Sequence, residues 1–219
     1  MTTYDLVIFD CDGVLVDTER INNEVISVLM KEAGRDMSPE EVATRTTGLA
    51  YSEMWEMFEA EAPGSLPADV LEQQLTREVE RFKTELQPIP GAVETVRYLS
   101  DAGMPICVAS NGAREKMEVT LEVTGLIGYF GDKFFGVNQV ARGKPEPDIY
   151  LLAAQEMGIS PSRCVVIEDS YPGAQAGLAA GMTVLGHCPD GDIWGLESLG
   201  IQIFDDMKEL PDLLGFQRG

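Results

Sequence analysis

The sequence predicts an α/β protein, a doubly wound parallel sheet with a helical domain inserted after its first strand. Three observations carry this. Apolar, strand-forming runs recur at Tyr4–Phe9, Met104–Ala109, Lys133–Val137, Cys164–Ile167, Met182–Gly186 and Ile201–Phe204. Helical patterns at Ala92–Ser100, Ala113–Val123, Pro147–Met157 and Pro172–Ala180 lie between most of them. The stretch Ile21–Phe82, by contrast, holds helical patterns alone. Strands alternating with helices build a parallel sheet covered on both faces, joined by right-handed crossovers.

The first run, Tyr4-Asp5-Leu6-Val7-Ile8-Phe9, is largely apolar, as a strand buried on both faces must be. After it come the helical patterns Ile21–Ala33, Pro39–Thr44, Tyr51–Glu61 and Ala68–Lys83. Pro63-Gly64, Pro67 and Pro88-Ile89-Pro90-Gly91 punctuate them, because both residue types interrupt regular structure. So much helix does not pack on one sheet face as a single crossover. Residues 18–87 are therefore expected to form a helical domain, and residues 1–17 with 88–219 the α/β core. Further on, Gly173, Gly177 and Gly181 recur every four residues among Ala174, Ala176, Ala179 and Ala180. Such small side chains are expected to let a helix lie close against the sheet.

A chain of 219 residues with 44% apolar content is long enough for such a core and insertion. Its 16 basic and 37 acidic residues give a net charge of −21. That argues against nucleic acid and anionic membranes as partners, since phosphate backbones are bound by clustered Lys and Arg. An anionic substrate would need local positive charge from a metal, a lysine or a helix N-terminus. Cys11, Cys107, Cys164 and Cys188 are scattered, without a CxxC pair. Cys107 and Cys164 sit in apolar runs and read as reduced core residues. The chain starts with a strand instead of a leader-like segment, and no run approaches the ~18 apolar residues of a membrane span. A reducing cytoplasm and a monomer or homodimer are expected.

In a doubly wound sheet, ligands gather at the carboxyl ends of the strands. After the first strand come Asp10 and Asp12; after the second, Ser110-Asn111-Gly112; ahead of Pro147, Gly143-Lys144-Pro145; after Ile167, Glu168-Asp169-Ser170. Two acids at the end of a buried strand are costly unless neutralised. Magnesium takes oxygen ligands and keeps some waters, so Asp10, Asp169 and the backbone carbonyl of Asp12 form a candidate ligand set. Glu168 joins it directly or through water. Asp10 would then attack phosphorus and form an aspartyl-phosphate, while Asp12 protonates the leaving oxygen and deprotonates the attacking water. Ser110 and the amides of Asn111 and Gly112 would hold phosphoryl oxygens, with Lys144 offsetting their charge. Alone, each piece is commonplace: a serine turn, a Gly-Lys-Pro surface turn, a Glu-Asp-Ser helix cap. In Asp10-Cys11-Asp12-Gly13 the glycine comes too early for a calcium loop, and a strand precedes it. The ordered conjunction of all four pieces is what is specific.

In that conjunction the chain resembles the haloacid dehalogenase superfamily over nearly its whole length. That family's D-x-D-G-x-x-x-D-[ST] motif is met by Asp10 to Thr18, its strand-ending Ser or Thr by Ser110, its lysine by Lys144 and its acidic pair by Glu168-Asp169. The resemblance implies a Rossmann-type core, a magnesium cofactor and a helical cap that closes over the substrate. It also implies a small phosphorylated metabolite as partner. Family members that cleave carbon–halogen or phosphonate bonds generally lack the acid at the position of Asp12, so its presence favours phosphate esters. The β-phosphoglucomutase type usually carries a His where this chain has Asn22, and the one histidine here is His187. The resemblance thus favours a phosphatase, with a sugar-phosphate mutase as the alternative. Residues 105–112 and 173–181 are also similar to small bacterial sugar-phosphate phosphatases, including the 6-phosphogluconate phosphatase type. In the insertion, Glu19, Arg45 and Gly48 are candidates to meet substrate. A non-enzymatic receiver-like phospho-acceptor combines similar residues but lacks the helical insertion.

Overall fold

The computed structural model describes residues 4–216 apart from 47, 48, 50, 190, 193 and 194. Its strands are β1 (Leu6–Phe9), β2 (Ile106–Ser110), β3 (Phe134–Gly136), β4 (Cys164–Glu168), β5 (Thr183–His187) and β6 (Gln202–Phe204). They form one sheet in the order β3-β2-β1-β4-β5-β6, and every neighbouring pair is parallel. This is the doubly wound order in which the chain reverses direction across the sheet between β1 and β4. Val7 sits opposite Ile106 on one side and Val165 on the other. All four side chains of β1 are fully buried, which explains its continuous apolar run.

The helices are α1 (Glu19–Glu32), α2 (Pro39–Thr46), α3 (Tyr51–Glu61), α4 (Val70–Glu85), α5 (Ala92–Asp101), α6 (Arg114–Val123), α7 (Ile127–Phe130), α8 (Asp148–Met157), α9 (Tyr171–Ala179) and α10 (Leu210–Leu213). On one sheet face Leu6, Ile8, Cys107 and Val166 join a core with Ile149, Tyr150 and Ala153 of α8 and Ala174 of α9. Elsewhere in the core Phe9 meets Phe130 of α7 edge-on, with ring centroids 6.2 Å apart. The short α7 and α10 carry too few residues for a helical period to be read from sequence.

The three glycines of α9 and its end do three different jobs. Gly177 lets the helix approach the middle of the sheet: a Cβ there would lie 2.7 Å from Val184 Cγ2. At Gly173 a Cβ would overlap the Glu168 carboxylate, 1.6 Å from Oε1. Gly181 faces open space but has φ +74°, the left-handed conformation that ends a helix most cheaply with glycine. The close approach expected of this set of small residues holds at Gly177 and Gly173 and at the buried Ala174, Ala176 and Ala180, while Gly181 serves the helix end instead.

The chain divides into two compact units, Met1–Asp17 with Gln87–Gly219, and Thr18–Leu86. The second contains α1 to α4. There Trp55 Nε1 on α3 donates to Gln74 Oε1 on α4 at 2.6 Å, and Gln74 Nε2 donates to Glu78 Oε1 at 2.6 Å. No described helix is long and apolar enough to cross a membrane.

Candidate active site

The loop after β1 is set by its own backbone. Asp10 N–H still donates to Ile167 O at 2.9 Å, so the residue stays in line with β1 and β4. The chain then turns: Leu15 and Val16 N–H both donate to Cys11 O, and Gly13 N–H to Val16 O. Gly13 is required here twice over. Its φ is +80°, and a Cβ would lie 2.0 Å from Asp169 Oδ2.

At the end of β2, Ser110 is buried and its Oγ accepts Gly112 N–H at 3.0 Å. The Asn111 side chain clamps the neighbouring loop: its Oδ1 accepts Lys144 N–H at 2.8 Å and its Nδ2 donates to Lys144 O at 3.2 Å. That contact needs Gly143, where a Cβ would come within 2.7 Å of Asn111 Oδ1. The clamp carries Lys144 inward, where Nζ donates to Asp10 Oδ1 at 2.6 Å and to Glu168 Oε1 at 2.7 Å. The Lys144 side chain is only 4% exposed.

Glu168, at the end of β4 and fully buried, is the hub. Its Oε1 also accepts Tyr150 Oη–H at 3.1 Å. Its Oε2 accepts Asp169 N–H, Ser170 N–H and Ser170 Oγ–H at 2.9, 2.7 and 2.9 Å. Ser170 in turn caps α9, its Oγ accepting Gly173 N–H at 3.2 Å. The Glu-Asp-Ser triplet is therefore both a helix cap and an acidic cluster, and the two uses share one serine.

Electrostatically the cluster is short of positive charge. One carboxylate oxygen from each of Asp10, Glu168 and Asp169 lies within 4.8 Å of the others. Were all three ionised, the single ammonium of Lys144 would leave two negative charges unmatched. Burial raises the Asp10 carboxyl to about 7, with Lys144 pulling it down and Glu168 pushing it further up. Asp169 is held well above the usual carboxylate range, by burial first and then by Glu168 and Asp10. Burial alone would depress Lys144, yet Asp10 and Glu168 push it well above the ordinary lysine value. All-oxygen donors whose ionised forms are disfavoured by burial and mutual repulsion fit a small, hard dication, which would offset both.

Asp12 lies at the rim, its side chain 33% exposed, with Oδ2 accepting Lys116 Nζ–H at 3.1 Å. Contacts thus connect Asp10, Lys144, Glu168 and Asn111, with Ser110 joined to Gly112. The Cβ position of Gly112 lies 3.8 Å from Asp12 Oδ2. Arg45 belongs to the helical unit, where it pairs with Glu61 and stands 5.1 Å over the Phe58 ring. Arg35 pairs with the same carboxylate, so Glu61 is shared between two guanidinium groups. Glu19 opens α1 and is exposed. Gly48 lies outside the described residues.

Sequence reasoning missed three participants: the Asn111 side chain, Tyr150 and Lys116. Tyr150 left a trace, being a hydroxyl-bearing residue on the otherwise apolar inner face of Asp148–Met157. Lys116 left a fainter one, a lysine beside the buried Met117 and one turn before the buried Thr120.

The sequence profile of haloacid dehalogenase-like hydrolases matches residues 4–181. The chain is 34% identical to 6-phosphogluconate phosphatase of Escherichia coli over 214 residues, covering 97% of this chain and 96% of that protein. It is 34% identical to hexitol phosphatase A of Escherichia coli over 180 residues, covering 81% and 80%. Among solved structures it is similar to a HAD family hydrolase from Deinococcus radiodurans with bound phosphate and sodium. That match has a TM-score of 0.81 and 36% identity, over 98% of this chain and 96% of that one.

Proposed function

The chain belongs to the family of haloacid dehalogenase-like hydrolases, and we propose that it is a magnesium-dependent phosphatase that cleaves the phosphate monoester of a small sugar-type metabolite through an aspartyl-phosphate. The observation that carries this is the cluster itself, in which Asp10, buried and held by Lys144 at 2.6 Å, shares a site with Asp169 and Glu168. Asp10, Asp169 and the backbone carbonyl of Asp12 would hold the ion, and Glu168, whose two oxygens already accept five hydrogen bonds, would act through water. Magnesium, when bound, supplies the positive charge that lets a phosphate dianion approach carboxylates.

The chain's own groups then do the chemistry. A carboxylate oxygen of Asp10 forms a bond to phosphorus as the bond to the ester oxygen breaks. Asp12, protonated, passes its proton to that leaving oxygen. As a carboxylate it next takes a proton from water, whose oxygen bonds to phosphorus while the Asp10–phosphorus bond breaks. Free phosphate and the original Asp10 carboxylate result. Ser110 Oγ and the Gly112 amide, hydrogen-bonded to each other here, turn to phosphoryl oxygens when they are present. Lys144 holds Asp10 in place and offsets phosphate charge.

The substrate class follows from two relatives named for 6-phosphogluconate and for hexitol phosphate hydrolysis. Free thiols at all four cysteines support a reducing compartment such as the cytoplasm. The helical unit is read as a cap domain, as the family resemblance implies. Phosphate release from a panel of sugar acid, hexitol and nucleotide monophosphates, with and without magnesium, tests the reading. Magnesium-dependent release from a sugar-type phosphate, abolished by Asp10→Asn, is expected. Isomerised sugar phosphate without free phosphate would instead identify a mutase.

A further inference from the structure

We propose that Lys116 is a positioning residue for proton transfer, its ammonium holding the Asp12 carboxylate where the ester oxygen departs. The inference rests on the reading of Asp12 as acid and base given above. Lys144 cannot serve this purpose, because its Nζ is committed to Asp10 and Glu168. Lys116 reaches Asp12 Oδ2 at 3.1 Å with a side chain only 13% exposed. A lysine drawn that far from water on a chain with 37 acidic residues marks a placed charge instead of a solvated one.

The helix that carries it is anchored on both sides. At its start Arg114 N–H donates to Asn138 Oδ1 at 3.2 Å, and Asn138 Nδ2 reaches the Glu115 carboxylate at 3.2 Å. Gly136 makes this approach possible, since a Cβ there would lie 2.4 Å from Arg114 N. Met117 and Leu121 are buried beneath the helix. One turn after Lys116, Thr120 Oγ1 lies 3.7 Å from Cys11 Sγ. Residues one turn apart on α6 therefore touch Cys11 and Asp12, consecutive residues of the loop after β1. The Cβ position of Gly112 lies 3.4 Å from Ser110 Oγ, 3.8 Å from Asp12 Oδ2 and 3.8 Å from Lys116 Cδ. Glycine thus leaves space bounded by the phosphate-holding serine, the acid and the lysine. Held at one oxygen by a seated ammonium, the Asp12 side chain loses rotamer freedom before the reaction and keeps its other oxygen for the proton, and the ammonium stabilises the carboxylate that remains once the proton has passed to the leaving oxygen.

Leaving-group dependence separates positioning from mere structure. p-Nitrophenolate departs without a proton, whereas the alkoxide of glycerol 2-phosphate needs one. The ratio of kcat/KM for glycerol 2-phosphate to that for p-nitrophenyl phosphate, measured on one preparation with magnesium, is independent of the folded fraction. Lys116→Met is expected to lower this ratio by about 10- to 100-fold, Lys116→Arg to restore most of it, and Asp12→Asn to lower it further. An unchanged ratio in Lys116→Met beside a lowered one in Asp12→Asn would overturn the role of Lys116 and leave the phosphatase reading standing. A rise in KM for both esters with kcat unchanged would also overturn it, identifying a phosphate-binding charge. An unchanged ratio in Asp12→Asn would overturn the acid role on which the inference rests.

Discussion

The ion pairs at the carboxyl end of the sheet and the exposed ion pairs on the helical unit follow opposite rules. On the helical unit Arg77 pairs with Glu32, Lys83 with Glu80 and Arg20 with Glu24, all with side chains a third or more exposed. Water screens such pairs, and they add little to stability. At the sheet edge Lys144, Asp10 and Glu168 are withdrawn from water, and removing one partner leaves the others uncompensated. The unbalanced buried charge at the sheet edge is what the proposed cation would offset, whereas the exposed pairs need no such partner.

The contrast can be broken by substitution. The largest effect is expected for Asp10→Asn, which should lower phosphate release at least about 10³-fold while the protein stays folded; retained turnover would mean that another group is the nucleophile. Lys144→Met should destabilise by about 3–5 kcal/mol in urea titration at pH 7.5, because Asp10 and Glu168 lose their shared cation. Gly173→Ala should cost about 1–3 kcal/mol, since its Cβ would overlap Glu168 Oε1, and activity should fall with it. Arg77→Ala is expected to leave both the urea midpoint and turnover close to the parent's, and a large loss would erase the distinction between the two regions.

A pH effect sharpens the same comparison. His187 is buried at the end of β5, with Nδ1 3.3 Å from Gly13 O and the Phe204 ring 5.3 Å away. Burial lowers its pKa, against the pull of the Gly13 carbonyl, Asp206 and Asp205. The unfolded chain then binds the His187 proton more readily than the folded one. This contribution to stability is fully present above about pH 6.5 and is lost as pH falls through that value toward the lowered one. In urea titrations with magnesium, His187→Gln should show a shallower decline with acidification than the parent; parallel curves would exclude His187 as the source.

Much of this was legible in the chain. The sheet announced itself in six apolar runs because parallel strands buried on both faces tolerate little else, and the insertion did so because four helical patterns follow one another without a strand. Asp10, Asp12, Ser110, Lys144, Glu168 and Asp169 could be nominated because each follows a strand or opens a helix in a fixed order. Lys116 could not, since its reach to Asp12 depends on how α6 is seated by Asn138 and Gly136, residues distant in sequence. That Gly173 makes room for a carboxylate of the site was hidden for a related reason. A glycine that clears a carboxylate and one that clears a valine look the same until the sheet is built.

The central claim is that the buried acidic cluster is completed by a divalent cation. Thermal melts of the parent and Asp169→Asn at pH 7.5, each with and without magnesium, test it most directly. Magnesium should raise the parent's Tm, as any ligand selective for the folded state does, and should raise that of Asp169→Asn much less. Equal melting temperatures with and without magnesium in the parent, or an equal rise in both proteins, would contradict it.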